Sequence, residues 1–150
     1  MSNLLQRALA TDAGYGALAL RVPVGIIFAA HGAQKLFGWF GGYGLDGTGQ
    51  FFDSVGLSPG YLMALLAGMA EFFGGLALVF GLLVRPAAAA LAFAMLIAIF
   101  AVHFSKGFSL DKGGYEYALA LFAASVSLLF TGGGRFSADA ALVARADGGR

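Results

Sequence analysis

The 150-residue chain contains no cysteine and few charged residues. Without cysteine there is no disulfide scaffold, no thiolate nucleophile, no iron–sulfur site and no internal dithiol relay. Charged residues make up 11% of the chain, where a soluble domain carries about 25%. That is too little to cover the outside of a water-soluble body, so an integral membrane protein is the class that remains. No excess of one sign exists either. Nine Lys+Arg stand against eight Asp+Glu, which leaves no basic surplus for phosphates and excludes nucleic acid as a partner.

What the chain has is apolar and small. Hydrophobic residues reach 59% and glycine numbers 24, and small residues let helices in a bilayer approach closely. Four apolar stretches predict four spans, at about 15–37, 61–83, 86–103 and 115–130, each near the length needed to cross the hydrocarbon core. A spanning segment must satisfy its own backbone, so all four read as helices. The fold class is an all-α, four-transmembrane-helix up-down bundle, and the whole of 1–150 reads as one domain. Residues 1–14 form a polar-apolar lead with Arg7 and Asp12; they lack the apolar run and cleavage site of a secretory signal.

The punctuation agrees with this layout. Ser58-Pro59 reads as N-cap and first residue of the second helix. Arg85-Pro86 joins the second and third spans with almost no loop, which forces an antiparallel hairpin. Pro23 lies inside the first span, where its missing N–H favours a bend. Between the first two spans, residues 38–60 hold Trp39, Phe40, Tyr43, Phe51 and Phe52. This aromatic loop suits a membrane interface, and its second half reads as a short helix capped near Thr48. Ser137 reads as the cap of a tail helix reaching about Ala144.

With four spans, both termini share a side with the Arg85 turn. That side receives the six arginines (Arg7, Arg21, Arg85, Arg135, Arg145 and Arg150), and the other receives Lys35, Lys106 and Lys112. The positive-inside rule then makes the protein multi-pass with both termini cytoplasmic and the aromatic loop facing outward.

Six ionisable residues fall in or beside the spans: Arg21, His31, Lys35, Glu71, His103 and Glu116. Each costs about 2.5–3.5 kcal/mol at a helix centre and so needs a partner or a wet cavity. At a rise of about 1.5 Å per residue, Glu71 lies about 15 Å and His31 about 10 Å below the outer boundary. Lys35, His103 and Glu116 lie near that boundary, where side chains can also snorkel to water. Only Arg21 belongs to the inner half. It reads either as a partner for Glu71, if the helices are offset, or as an inner gate below Glu71 in a transporter.

On a helical wheel Arg21, Gly25, Phe28, His31, Gly32 and Lys35 share one arc. Ala67, Glu71 and Gly75 share a face of the second helix, and Glu116, Ala120, Ala123 and Ser127 share one of the fourth. Small residues beside a charge mark a face that packs on another helix. The expected result is a bundle with a polar cavity opening outward. Neither glutamate begins the Glu-x-x-His pattern of carboxylate-bridged metal bundles, so no metal is expected. No cofactor motif is evident in the chain.

The segments Arg21-Val22-Pro23-Val24-Gly25-Ile26-Ile27-Phe28 and His31-Gly32-Ala33-Gln34-Lys35-Leu36-Phe37-Gly38 resemble the opening of the DoxX family. Gly47-Thr48, Glu71-Phe72-Phe73-Gly74-Gly75, His103, Gly114-Tyr115-Glu116-Tyr117 and Gly132-Gly133-Gly134 with Ser137 continue the resemblance over about residues 15–140. Ala138 departs from it, since the family tends to have leucine before the aspartate. The resemblance implies a small four-helix protein of the bacterial inner membrane associated with redox systems. Some members look like subunits of thiosulfate–quinone or quinol-oxidising complexes, and others are linked to oxidant detoxification with superoxide dismutase and a sulfurtransferase.

Three functions are compatible with these residues. In the first, the cavity of a redox-complex subunit binds a quinone, His31 bonds a carbonyl oxygen and Glu71 moves a proton, these two being the reacting groups. Arg21, Lys35, His103 and Glu116 then contribute to ligand binding, and an oxidoreductase partner supplies or removes electrons. The second is a small proton-coupled transporter, acting as a homo-oligomer with access from both sides. The third is a membrane scaffold that recruits soluble enzymes.

Overall fold

The computed structural model describes residues 3–11 and 14–148; Asp12 and Arg150 lie outside the described residues. Seven α-helices make up the fold, and no strand occurs among the described residues. They are α1 (Asn3–Leu9), α2 (Tyr15–Phe37), α3 (Gly44–Ser54), α4 (Gly60–Phe80), α5 (Val84–Ile97), α6 (Glu116–Thr131) and α7 (Ala138–Gly148). Helix α5 continues through a π-helical turn, Ala98–His103, and a 3-10 turn, Phe104–Lys106.

Three helices are long and apolar enough to cross a membrane: α2, α4 and the continuous run Val84–Lys106. Helix α6 is apolar but has 16 residues, about 24 Å of rise. The protein is therefore embedded in a bilayer.

Helix α2 packs most extensively on α4, and α5 on α6, while α4 also touches α5. The α2–α4 contact is backbone against backbone. A Cβ on Gly32 would strike the main chain of Phe72, and one on Gly75 would strike the backbone of Gly25 and Ala29. Gly74, one residue away, faces Leu91 of α5. The Glu71–Gly75 motif thus serves two interfaces at once. The core between the pairs holds Phe28, Leu78, Leu91, Met95, Leu121 and Leu128.

Several local expectations change. Helix α4 opens at Gly60, with Pro59 preceding it, and Ser58 does not cap it. The Ser58 hydroxyl donates to Asp53 Oδ1 (2.6 Å), and the same oxygen accepts the Gly60 N–H (2.9 Å). A carboxylate near the end of α3 does the capping because it accepts both donors at once. Helix α3 starts at Gly44 rather than near Thr48, with Asp46 in its first turn, where a negative charge complements the helix dipole. Thr48 is buried inside it.

Helix α4 stops at Phe80 because Gly81 turns left-handed (φ 70°). Leu83 follows at φ 52°, a strained setting for a branched side chain. Asp139 from α7 holds the turn: its carboxylate accepts the N–H groups of Leu83 (2.7 Å) and Val84 (2.9 Å). Pro86 then falls in the first turn of α5, where its missing N–H costs nothing. Ser137 does cap α7, accepting the Ala140 N–H (3.1 Å), though that helix runs on to Gly148.

The packing face of α6 is not the one the small residues suggest. Ala118, Leu121, Ser125 and Leu128 are buried, while Ala120, Ala123 and Ser127 are exposed. The polar-apolar lead is helical over α1, which packs on α7 and α5.

Replacing Gly32 by valine forces α2 off α4, and we expect a loss of about 1–3 kcal/mol or more, as overpacking does elsewhere. Gly16, with nothing near its Cβ position, should accept alanine within about 0.5 kcal/mol. Thermal unfolding of both variants in detergent micelles checks the contrast.

Candidate functional site

The two ends of the bundle use their charges differently. At one end the Arg21 guanidinium is fully buried and spends its donors on main-chain oxygens. It reaches Gly133 O (2.9 Å), Leu78 O (2.8 Å), Val79 O (2.6 Å) and Phe136 O. Leu78 and Val79 belong to the last turn of α4, whose carbonyls have no helical partner, and a cation there also meets the negative end of the helix dipole. Arg85 treats α6 alike, donating to Leu129 O and Phe130 O (both 2.7 Å) and to Ala10 O (2.9 Å). Asp139 lies near Arg21. Burial pushes its carboxyl above the usual range, against the pull of its two amide donors and the guanidinium.

The other end holds a cavity of about 690 Å³ among α2, α3, α4, α5 with its π turn, and α6. Its wall is mostly apolar and aromatic, with Phe28, Phe51, Phe52, Phe93 and Leu121. Four of the six residues singled out from sequence line it: His31, Lys35, Glu71 and His103. Glu71 is buried, and Lys35 Nζ meets its Oε2 at 2.5 Å. Lys35 is thus the partner of Glu71. The offset pairing with Arg21 does not occur, because Arg21 is committed to carbonyls at the opposite end.

This pair is a product of the α2–α4 contact. Lys35 stands about one turn beyond Gly32, and Glu71 one residue before the Phe72 backbone that Gly32 touches. The close approach lets the lysine stem lie inward along the helix rather than snorkel outward.

His31 Nδ1 lies 2.9 Å from Ile27 O, one turn back on its own helix. Its ring tilts towards Tyr117 of α6, with centroids 6.2 Å apart. His103 ends the π turn, and its Nδ1 lies 2.7 Å from Gly113 O. Glu116 does not line the cavity. Its Oε1 accepts the Leu110 N–H (2.6 Å) and ties down the 104–114 connection. Among the described residues no three His, Cys, Asp or Glu side chains converge on a shared position as a metal would need.

Sequence reasoning missed Tyr117, Gln34 and Lys106 as lining residues. Tyr117 stands beside Glu116 in a motif that drew attention to the glutamate alone. It also missed Asp139, whose signal was faint: one acid two residues after a capping serine.

The arrangement is an apolar chamber carrying one ion pair and two imidazoles. It can enclose a flat aromatic body and exchange a proton with it at Glu71 or an imidazole.

Comparison with known proteins gives consistent results. The family model for DoxX matches residues 16–104. The chain is 37% identical over 117 residues to a Bacillus subtilis protein named "Putative oxidoreductase CatD", covering 78% of this chain and 79% of that one. It is 30% identical over 124 residues to the Escherichia coli "Inner membrane protein YqjF", covering 83% and 89%. No solved structure matches.

Removing one member of the pair strands the other in an apolar wall. Lys35→Met alone is expected to cost about 3 kcal/mol, the low end for a buried pair because the lysine is partly exposed. Lys35→Met with Glu71→Leu should recover most of that loss. A double-mutant cycle on unfolding in micelles measures the coupling.

Proposed function

The chain belongs to the DoxX family, and on that premise we propose that it is the quinone-binding subunit of a redox complex in the bacterial inner membrane. The observation that carries this reading is the Lys35–Glu71 ion pair set in an aromatic-lined cavity with His31 and His103. An apolar chamber with a few convergent polar groups suits a ring that carries oxygen at its edge. The printed names of the two relatives, an oxidoreductase and an inner membrane protein, support the reading in class and in place.

Glu71 moves the proton, and Lys35 holds its carboxylate in place at the cavity wall. His31 and His103 bond the ligand's oxygen atoms from two sides. Oxidation of a quinol to a quinone releases two protons and two electrons. The protons leave through Glu71 and an imidazole, and the electrons pass to a partner oxidoreductase. A partner is needed because the chain has no cysteine and no convergent metal ligands among the described residues.

The arginine-rich end faces the cytoplasm in this reading, with both termini, and the cavity faces outward. A transporter would need access from the Arg21 end as well. That end is filled by Arg21 and the carbonyls it binds, so we favour the redox subunit over transport.

Gentle extraction from native membranes followed by native mass spectrometry tests the proposal. A retained quinone or a stoichiometric oxidoreductase partner is the expected result; a bare chain carrying phospholipid alone would count against it. In a complementation assay Glu71→Ala should lower activity about a hundredfold or more, the usual worth of a positioned proton carrier. Glu116→Ala should stay close to wild type, and wild-type activity of both variants would end the model.

A further inference from the structure

Helices α4 and α5 follow each other through the tight turn at 81–83, and they meet at Gly74, whose Cβ would lie 3.1 Å from Leu91. From there towards the cavity each helix leans on a different partner. That half of α4 rests on α2 and α3: a Cβ on Gly68 would meet Leu36 and Lys35, and one on Gly60 would strike Gly49 O. The matching half of α5 is held by α6, where Met95 and Ile99 share a core with Ala118 and Leu121. The space left between them is lined by Leu66 and Ala70 of α4, Phe93, Ala94 and Ile97 of α5, and Ala98 just beyond it. The opposite flank, between α2 and α6, is occupied by His31 and Tyr117, whose rings lie 6.2 Å apart.

Three of these residues are wall and surface at once. Leu66, Phe93 and Ile97 line the chamber, yet they are 53%, 65% and 38% exposed. Such residues on two facing helices mark the rim of a slot. Leu66 lies about 9 Å along α4 from Gly60, and Phe93 about 14 Å along α5 from Val84. Both belong to segments apolar enough to span, so the rim stands at hydrocarbon depth. The six side chains of the slot carry no donor and no acceptor, and a molecule arriving with its water would shed it there without return. A hydrocarbon chain loses nothing. Each helix satisfies its own backbone, so a gap between the two is tolerated in a bilayer. Ala98 also opens the π turn, a winding frequent at functional sites.

We propose that the chamber exchanges its ligand sideways with the bilayer through this slot, and that the ligand is a lipid-soluble molecule whose apolar chain lies between α4 and α5. Ala70, Ala94 and Ala98 give the chain its width, since each adds only a methyl group to the wall. The proposal goes beyond the reading above: it rests on the shape of the cavity and not on the identity of the head group.

The chain has no cysteine, so a nitroxide on one introduced cysteine reports one position. In nanodiscs holding the full chain, its collisions with oxygen, which dissolves in hydrocarbon, are compared with those of a nickel chelate, which stays in water. Ala70→Cys and Ala98→Cys are expected to give the oxygen-to-nickel ratio of Ile26→Cys, on the exposed face of α2, and not that of Lys112→Cys in the 104–114 connection. A ratio like that of Lys112→Cys means an aqueous mouth and overturns the proposal. Few collisions with either reagent mean a sealed wall and overturn it as well. Ala94→Cys replaces either variant that fails to fold and is read in the same way. Ala98→Phe fills the slot. At equal amounts of protein in the membrane, activity in the complementation assay should fall about tenfold or more, as a changed fit in an apolar pocket does elsewhere. Ala89→Phe, exposed on α5 and outside the chamber lining, should leave activity unchanged. Full activity of Ala98→Phe would overturn lateral entry; if it does not fold, the labels still decide. Absence of a retained quinone in native mass spectrometry would remove the reading above and leave the result on the slot standing.

Discussion

A side chain at Gly32 has no room, because the main chain of Phe72 already stands there, and Gly75 meets the backbone of Gly25 and Ala29 in the same way. Lipid tails are as apolar as leucine, so the two helices gain little by hiding hydrophobic surface from them. What holds them is close van der Waals contact, which grows as the backbones near each other. That approach places Lys35 within reach of Glu71. It also frees α2 to present His31 on the side that faces α6. The ion pair, the imidazole and the chamber follow from residues with no side chain at all.

Charge is divided between two tasks along the bundle axis. At one end Arg21 and Arg85 satisfy the loose carbonyls that end α4 and α6, and Asp139 satisfies the loose amides that begin α5. Every one of these groups is consumed in closing helix ends. At the other end the pairing is incomplete, with Oε1 of Glu71 and two imidazole nitrogens unsatisfied by protein. Incomplete satisfaction is costly in a bilayer unless a ligand or water finishes it.

The extent to which the sequence disclosed this depends on the kind of signal. Helix α2 lies where hydropathy put it, Tyr15–Phe37, since length and apolarity suffice for a span. Glu71 and His31 stood out in the sequence because ionisable groups in a span are rare and need company, and both line the cavity. The face of α6 was misjudged because a bilayer does not penalise an apolar exterior, so the placement of Ala120 and Ala123 carries no inward signal. The partner of Glu71 was missed because depth was counted at backbone positions, and a lysine stem bridges several ångströms between backbone and charge. The grouping of the arginines at one side was legible as a count; for Arg21 and Arg85 the reason lay in which helices end there. No spacing rule names a distant carbonyl.

The winding of the third spanning segment bears on the cavity in another way. Ala98–His103 is under-wound as a π turn, and Phe104–Lys106 immediately after it is over-wound as a 3-10 turn. The over-winding of the second only partly makes up the under-winding of the first. His103 sits at the seam. The imidazole at that seam reaches across to Gly113 O (2.7 Å), so the change of winding in one helix is fastened to the connection that leads into the next.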